Sequence, residues 1–587
     1  MLHTLRHGCA PLLRRSLAGS AAGRPFSLGA SAVMQQQQQQ QQQTKPDAGD
    51  TSTVVSLPRL NFREIAERVD DMQANIQQRN ATGEPAQVAF LYRAFVEAQY
   101  NEQTLRNRSN VLSRCLADVA VQARRLPPVT GAAPSAEAVA EAAATAERYF
   151  ALPPYTEAAE VAAARAAYLE QLARVGAAAV RQFLIEAGRD TKHRLGQQSH
   201  ERQSVLERLA PMALELPNWT HPDSPPGGAG PREVALVGTP SRPAGAPDHL
   251  QIGEKLDLFD FQRAAQISGS RFYFLKNAAA LLELALVNYA MSRAVQAGFT
   301  PYTTPDLVYS SVAAGCGYQP RGEASQLYSI AGPHGNASPT HCLVGTSEIP
   351  LAGMHMNSII PEAELPIRLA AVSHCFRREA GSYGQESRGL YRVHQFTKVE
   401  MFAFTRPDDS GRALDELVEL QRDLFDGLEL HYQVLDMPRD DLGAAAYRKY
   451  DIEAWMPGRG SFGEVSSASD CTDYQSRRLN IRYRPEEAPG PATPEAGGPA
   501  APAAGPGPLP FVHTVNGTAC AVPRAIVALL ETHVDLESPT MRVRIPERLR
   551  PFMFGMRYIE TPVPPRRPDT VAANEARLQA DPWTRDT

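Results

Sequence analysis

The chain has 587 residues, of which 43% are hydrophobic and 21% charged, and its formal net charge is −5 with a pI near 6.3. A chain of this length is too long for a single hydrophobic core, so at least two domains are expected. The nearly balanced charge excludes a histone-like or polybasic protein, although a local basic face can still bind nucleic acid.

The amino terminus is basic and contains no acidic residue before Asp47. Four arginines stand there among leucine, alanine and serine: Arg6, Arg14, Arg15 and Arg24. An Arg-rich, Ser-rich and acid-poor start is typical of a mitochondrial presequence, and a disordered basic tail is the alternative. A tract of nine glutamines, Gln35 to Gln43, predicts a flexible linker. We therefore predict that residues 1–46 are a presequence with its linker, and that the protein is located in the mitochondrial matrix.

The cysteines and the hydropathy pattern bear on the compartment as well. The seven cysteines are scattered and include no C-x-x-C pair. A disulfide framework and a cysteine-rich zinc site are therefore not expected, and a reducing compartment fits better. The chain has no uninterrupted apolar run of about 18 residues, so no membrane span and no membrane partner are predicted.

Residues 47–215 are rich in Ala, Gln, Arg and Glu and carry a helical pattern. Two long helices are predicted, Ala86–Arg125 and Ala158–Ala210, joined by a turn-rich tip into an antiparallel helical hairpin, a coiled-coil arm. Twelve basic residues are predicted to be exposed on this arm: Arg93, Arg106, Arg108, Arg114, Arg124, Arg125, Arg165, Arg174, Arg181, Arg189, Lys192 and Arg194. Taken alone, such a pattern is more often a solvated face with acidic partners than a nucleic-acid surface.

The second half of the chain begins after a segment dense in Pro, Gly, Asn and Asp, residues 216–232, which predicts a linker. Residues 233–560 then alternate between strand-like and helical stretches. Strands are predicted at Gly298–Val308, Ile367–Phe376, Tyr391–Phe404, Tyr432–Asp436, Gly463–Ser469 and Phe511–Val515. Because strands follow one another with turn residues between them, the pattern favours an α+β fold with an antiparallel sheet. A Pro-, Ala- and Gly-rich insert at about residues 485–510 predicts a disordered loop, and residues 561–587 a tail.

One strand–loop–strand stretch is unusually charged. It runs from Ser373 to Phe402 and reads SHCFRREAGSYGQESRGLYRVHQFTKVEMF. Arg377 can bind a phosphate or a carboxylate through two hydrogen bonds, Glu379 can accept from an exocyclic amine, and Phe396 offers a stacking face. This set suits a polyanionic ligand with an aromatic base. The alternative, which is more frequent for an isolated Arg-x-Glu, is a salt bridge within or between strands.

This stretch resembles the second signature motif of the class II seryl-tRNA synthetases. Other segments resemble further motifs of that family in the same order: GFTPYTTPDLV the dimer-forming first motif, VGTSEIPLAGMH the amino-acid-binding loop, FGEVSSASDCTDYQSRRLNIRY the metal- and ATP-binding strand, and VNGTACAVPRAIVALLETH the third motif. The resemblance covers roughly residues 216–556, and with the amino terminus it indicates the mitochondrial branch. It implies a class II antiparallel sheet with flanking helices, activation of serine with ATP to seryl-adenylate, and transfer of serine to mitochondrial tRNA(Ser).

The resemblance also implies site residues. The serine pocket would be formed by Thr346, Ser347, Glu348, Arg377, Glu400 and Thr518. The ATP site would be formed by Arg377, Arg378, Glu379, Val393, His394, Gln395, Phe396, Glu464, Val465, Ser466, Ser467 and Arg524. Of these, Glu464 and Ser467 would supply oxygen ligands to Mg²⁺, Phe396 and Arg524 would cover the two faces of adenine, and a homodimer would form around Pro305.

Two features depart from the family pattern. Ala519 and Pro523 stand where the third motif commonly has glycine, and Pro523 either stiffens this turn or occupies the first turn of the next helix, where proline is tolerated. The insert is the other departure and indicates a surface expansion. The alternative function is a catalytically silent, synthetase-like protein that binds nucleic acid or protein, and such a paralogue should have lost some of these ligands.

Overall fold

The computed structural model describes residues 59–126, 132–153, 156–318, 326–330, 341–379, 388–486 and 509–562. All of them belong to one unit, Ser56–Thr587. The predicted presequence and glutamine tract, most of the predicted insert and nearly all of the predicted tail lie outside the described residues.

The amino-terminal half of the described chain is helical. Its helices are α1 Phe62–Glu67, α2 Val69–Gln78, α3 Pro85–Gln122, α4 Ala136–Ala151, α5 Ala158–Val175 and α6 Ala177–Glu215. The long helices α3 and α6 pack against each other in opposite directions. Buried Glu102 of α3 accepts hydrogen bonds from Arg106 at 2.5 Å and from Arg202 of α6 at 2.6 Å. The predicted antiparallel helical arm is therefore confirmed.

The tip of this arm differs from the prediction. Helix α4 occupies part of the segment that was predicted to be a turn-rich connection, so that prediction is wrong. The helix is alanine-rich, alanine has the highest helix propensity, and the Ser135 hydroxyl caps its first turn by accepting from the Ala138 N–H at 3.2 Å. Three of its alanines are buried in the core of the arm: Ala142, Ala143 and Ala146. The second predicted helix is also interrupted, at Gly176, whose φ of 92° separates α5 from α6.

The segment after the arm is packed in place. Residues 216–231 contain no helix or strand, but the buried Asn218 side chain donates to the carbonyls of Ala445 and Cys471, each at 2.9 Å. Arg79, just after α2, is also buried and donates to the Ala446 carbonyl at 2.9 Å. These contacts fix the base of the arm to the sheet domain.

The carboxy-terminal half is built on a sheet. Its strands are β1 Arg232–Val237, β2 Phe259–Asp260, β3 Phe274–Leu275, β4 Thr300–Thr303, β5 Leu307–Tyr309, β6 Ser329–Ile330, β7 His341–Leu343, β8 Ile359–Pro361, β9 Ile367–Phe376, β10 Gln395–Thr405, β11 Tyr432–Asp436, β12 Arg448–Met456, β13 Ser461–Thr472, β14 Arg482–Arg484, β15 His513–Ala521, β16 Val543–Arg544 and β17 Tyr558–Ile559. Its helices are α7 His249–Lys255, α8 Phe261–Ser268, α9 Asn277–Gln296, α10 Ser310–Gly315, α11 Glu348–Gly353, α12 Ser410–Gly427, α13 Tyr474–Leu479 and α14 Val522–His533.

The main sheet has eight strands in the order β1-β11-β12-β13-β15-β10-β9-β4. All neighbouring pairs are antiparallel except β4 with β9. The predicted α+β fold with an antiparallel sheet is therefore confirmed. The sequence prediction missed β1, an exposed edge strand, and β12, in which charged residues alternate with apolar ones.

Each face of the sheet has its own core. Helices α9, α12 and α14 contribute to the core on one face, the first core, whereas α10, α11 and α13 contribute to the second core on the other face. Within the described chain, α9 alone is long and apolar enough to cross a membrane by length and composition. Its Leu282, Leu286 and Tyr289 are buried in the first core, and that packing accounts for its apolar character.

Candidate active site

The alternation of side chains along the central strands places polar residues on one face of the sheet. On β10, Val399 and Met401 point into the first core, so Lys398 and Glu400 point to the opposite face. Glu400 lies directly across from Thr518 of β15. The face of the sheet opposite the first core therefore carries polar side chains at its centre. We call Lys398, Glu400 and Thr518 the polar floor.

A cavity opens on this floor, and small ligands usually bind in concave sites of this kind. Ten predicted site residues line it: Arg377, Glu379, Val393, Phe396, Glu464, Val465, Ser466, Ser467, Thr518 and Arg524. They come from the end of β9, from β10, β13 and β15, from the start of α14 and from the loop before β10. The structure thus brings together residues that are up to 147 positions apart in the sequence (377 to 524).

Two guanidinium groups make one part of the cavity cationic. Arg377 lies over the Phe396 ring at 5.4 Å from its centroid and donates to the Gly345 carbonyl at 3.3 Å. Arg524 donates to the Glu464 carboxylate at 3.0 Å and lies over the Tyr391 ring at 4.7 Å. Such a pair suits a ligand with several negative charges.

Glu464 is the acid among these cations. Burial opposes its ionisation, but the charges of Arg524 and Lys449 lower the pKa of its carboxyl below the usual range. It is therefore a carboxylate at neutral pH. Glu379 forms a salt bridge with Arg392 at 3.4 Å across the hairpin, as the alternative predicted, although both Arg377 and Glu379 line the cavity.

A bulge in β13 explains how neighbouring residues reach the same cavity. The pairing of β12 with β13 shifts between Ser466 and Glu464, leaving Val465 as the extra residue, and a bulge redirects side chains. Ser466 donates to the Thr518 carbonyl at 2.5 Å. As a result Glu464, Ser466 and Ser467 all line the cavity.

The predicted serine residues lie beside the cationic part. Glu348 is 7% exposed and accepts from the Tyr318 hydroxyl at 3.0 Å and from the side-chain amides of Gln475 and Asn516 at 2.6 and 3.1 Å. Burial, together with the charge of nearby Glu400, raises the pKa of the Glu348 carboxyl to about 7. A cationic group bound beside it would favour the ionised form.

The other predicted serine residues are buried too. Glu400 is 2% exposed, forms an ion pair with Lys398 and accepts from the Thr518 hydroxyl at 3.3 Å. Thr346 accepts from the Glu348 N–H through its hydroxyl at 3.3 Å. The buried Ser347 hydroxyl has no hydrogen-bond partner among the described residues.

Three predicted ATP residues do not line the cavity. Arg378 is exposed, and its backbone N–H donates to the Gln326 carbonyl at 2.8 Å. The His394 ring stacks on Phe272 with centroids 5.3 Å apart. Gln395 is exposed at the start of β10. The role of these residues in ATP binding stays a prediction.

The two residues that depart from the family pattern are accommodated. Pro523 falls in the first two positions of α14, which is one of the two predicted outcomes and the position where proline is tolerated. Ala519 is buried in the first core and does not line the cavity. Pro305 is exposed two residues after the end of β4.

Sequence reasoning missed several residues of the site. Lys398 and Tyr391 line the cavity, and the amides of Asn516 and Gln475 hold Glu348. Period-two alternation with Glu400 could have revealed Lys398, and alternation with Thr518 could have revealed Asn516. Gln475 carries no such signal, because only the fold brings α13 to α11.

Comparison with known proteins places these observations in a family. Residues 336–496 match the model described as tRNA synthetase class II core domain (G, H, P, S and T). The chain is 47% identical over 385 residues to a serine–tRNA ligase of Rhodopirellula baltica, covering 64% of this chain and 83% of the relative. It is 44% identical over 373 residues to a serine–tRNA ligase of Rubrobacter xylanophilus, covering 63% and 81%.

Two solved structures are similar over most of the chain. The seryl-tRNA synthetase of Pyrococcus horikoshii complexed with ATP gives a TM-score of 0.63 at 29% identity, covering 86% of this chain and 100% of the other. The cytoplasmic serine–tRNA ligase of Naegleria fowleri in complex with AMP gives 0.61 at 25% identity, covering 86% and 97%.

Proposed function

The chain belongs to the seryl-tRNA synthetases, also called serine–tRNA ligases, and from this premise we propose that it is the enzyme that charges mitochondrial tRNA(Ser). It activates serine with ATP to seryl-adenylate, releases pyrophosphate, and transfers the serine to the tRNA. The observation that carries the assignment is the joining of two subsites: Arg377 and Arg524 line a cavity together with Lys398 and Thr518, and both of the latter contact the buried carboxylate Glu400.

The residues divide the chemistry between them. The serine carboxylate is the nucleophile and pyrophosphate is the leaving group, so the protein needs to position the reactants and neutralise charge. Arg377 is placed to hold the serine carboxylate and the α-phosphate, and Arg524 the terminal phosphates. Glu348 and Glu400 receive the serine ammonium and hydroxyl, and Phe396 supplies a face for adenine.

The donor set at Glu464 fits Mg²⁺. In the described part of the chain no group of three or more His, Cys, Asp or Glu side chains could hold a metal ion. Mg²⁺ commonly takes one or two carboxylates and completes its shell with water and phosphate oxygens. Glu464 and Ser467 would hold the ion, whose positive charge would offset the negative charge of the phosphates.

Charging of tRNA tests the proposal. The purified chain should attach radiolabelled serine to transcripts of mitochondrial tRNA(Ser) in the presence of ATP and Mg²⁺, and should charge a non-serine tRNA far more slowly. A catalytically silent paralogue would bind tRNA without charging it. Retention of the cavity ligands Arg377, Glu464 and Arg524 argues against such a paralogue.

We propose that the enzyme is a homodimer joined through the edge of the sheet at β4. All residues of β4 are exposed, and exposed apolar side chains stand on the neighbouring elements, with Leu284 of α9 61% exposed and Tyr309 of β5 60% exposed. Open edges and clustered apolar side chains are typical of interaction surfaces.

Sedimentation velocity at micromolar concentration should therefore give the mass of a dimer. Leu284→Glu should shift the protein toward the monomer, because it places a charge in the apolar contact. Val234→Glu is the matched control, since Val234 is 56% exposed on β1, at the opposite edge of the sheet, and it should leave the dimer intact. A fully active wild-type monomer would contradict the proposal.

We also propose that the enzyme acts in the mitochondrial matrix. The support is the basic, acid-free start of the sequence. A fluorescent protein fused to residues 1–46 should enter mitochondria, and changing the four arginines of this segment to serine should leave the fusion in the cytosol. Cytosolic fluorescence of the unchanged fusion would overturn this localisation.

A further inference from the structure

Lys398 is a buried cation that has no role in the chemistry proposed above. It lies on β10 between Phe396 and Glu400, is 6% exposed and lines the cavity. Its ammonium group forms an ion pair with the Glu400 carboxylate. Burying two charges is costly, and stability alone is a weak reason for a buried pair because apolar replacements often serve as well.

A second carboxylate, Glu348, lies near this pair. The charge of Glu400 disfavours the ionised form of Glu348, and the charge of Lys398 favours it. The groups that face the Glu348–Glu400 pair from the packed elements include Lys398 on β10, Arg377 and Cys375 at the end of β9, Tyr318 after α10, and Cys471 on β13.

We propose that Lys398 is a positioning residue for serine recognition, whose ion pair holds the Glu400 carboxylate directed toward Thr518. The inference rests on the proposed placement of serine among Glu348, Glu400 and Thr518. With Lys398 present, Glu400 accepts from the Thr518 hydroxyl and retains an oxygen that can accept from an ammonium or a hydroxyl of the substrate.

Loss of the Lys398 charge would change Glu400 rather than the ATP contacts. Without the ion pair, the buried charge of Glu400 is left uncompensated, and the carboxylate is no longer held where the serine ammonium needs an acceptor. The cations of the ATP part, Arg377 and Arg524, would stay in place. The substitution should therefore weaken the binding of serine and not the binding of ATP.

Serine-dependent ATP–pyrophosphate exchange separates this role from a purely structural one. Lys398→Met should raise the KM for serine by about 10- to 100-fold, the range of one hydrogen bond to a charged group, and should leave the KM for ATP nearly unchanged. Lys398→Arg keeps the charge and should recover most of the serine affinity.

Arg448→Met is the matched control. It removes a cation from another buried carboxylate of the same sheet, Asp436 on β11, to which Arg448 donates at 2.9 Å. It should lower the melting temperature without changing the KM for serine. Where Lys398→Met does not fold, Lys398→Gln, whose amide can still donate to Glu400, is judged by the same pair of KM values.

Equal changes in both KM values, or an unchanged KM for serine in a folded variant, would overturn the inference about Lys398 but not the proposed function. A wild-type chain without any serine-dependent exchange would overturn the proposed function and this inference together.

Discussion

Replacing Arg377 by alanine should lower the rate of serine-dependent ATP–pyrophosphate exchange by about 10²- to 10³-fold, which is typical for the loss of one group that stabilises charge in a transition state. Arg377 stands where the two subsites meet. It lies over Phe396, and its charge acts on both Glu464 in the ATP part and Tyr318 beside Glu348. Negative charge from the serine carboxylate and the α-phosphate would accumulate at this point.

The control is Arg368→Ala on the same strand. Arg368 pairs with Glu416 at the surface, at the other end of β9, and exposed pairs contribute little, so exchange should stay within about twofold of wild type. Arg377→Lys should fall between wild type and alanine, because lysine keeps the charge but lacks the two-pronged donor geometry. Wild-type kinetics in Arg377→Ala would remove this residue from the active site.

Shortening the helical arm should abolish tRNA charging and leave exchange within a few-fold of wild type. Residues between Gln103 and Glu201 would be replaced by a short Gly/Ser turn, a cut that keeps the Glu102–Arg202 bridge between α3 and α6 and the contacts of Arg79 and Asn218 with the sheet domain. Exchange should survive this cut because none of the residues that line the cavity belongs to the removed part of the arm.

The basic residues of the arm provide a finer test. All twelve predicted ones are exposed, but Arg106 and Arg108 already pair with Glu102 and Glu147. Among the described residues Arg189 and Lys192 have no acidic partner within ion-pair distance, so they are the better candidates for phosphate contacts.

The double change of Arg189 and Lys192 to alanine should weaken tRNA binding and flatten its salt dependence by about one unit of slope per lost contact. The same double change at Arg106 and Arg108 should weaken tRNA binding less, because these two arginines already pair with acidic residues. Charging that survives the shortened arm would show that the arm is structural, whereas collapse of exchange would show that the two halves are not independent.

The sequence was sufficient wherever a periodic pattern or a contiguous motif carried the signal. The strand predicted at Tyr391–Phe404 corresponds to β10, and Phe396, predicted from its motif to be a site residue, lines the cavity. The sequence was insufficient where a contact between two side chains depends on packing between distant elements. Nothing near Gln475 indicates that it donates to Glu348, 127 residues away.

The tip of the arm and the segment after the arm show the same limit of prediction from sequence. The turn signals around α4 outweighed its alanine-rich composition in the prediction, although burial between α3 and α5 decides its structure. The segment predicted to be a linker contains no helix or strand over residues 216–231, but its composition gave no sign that Asn218 would be buried against the sheet domain.

The most direct measurement is ATP–pyrophosphate exchange by the purified chain with serine, alanine or threonine as the amino acid. Serine should support exchange. Alanine should be poorer by up to about 10⁴- to 10⁵-fold, because it cannot supply the hydroxyl that the buried carboxylates of this pocket would accept from, and threonine should be rejected by its extra methyl group. Absence of exchange with saturating serine, or equal exchange with alanine, would contradict the account.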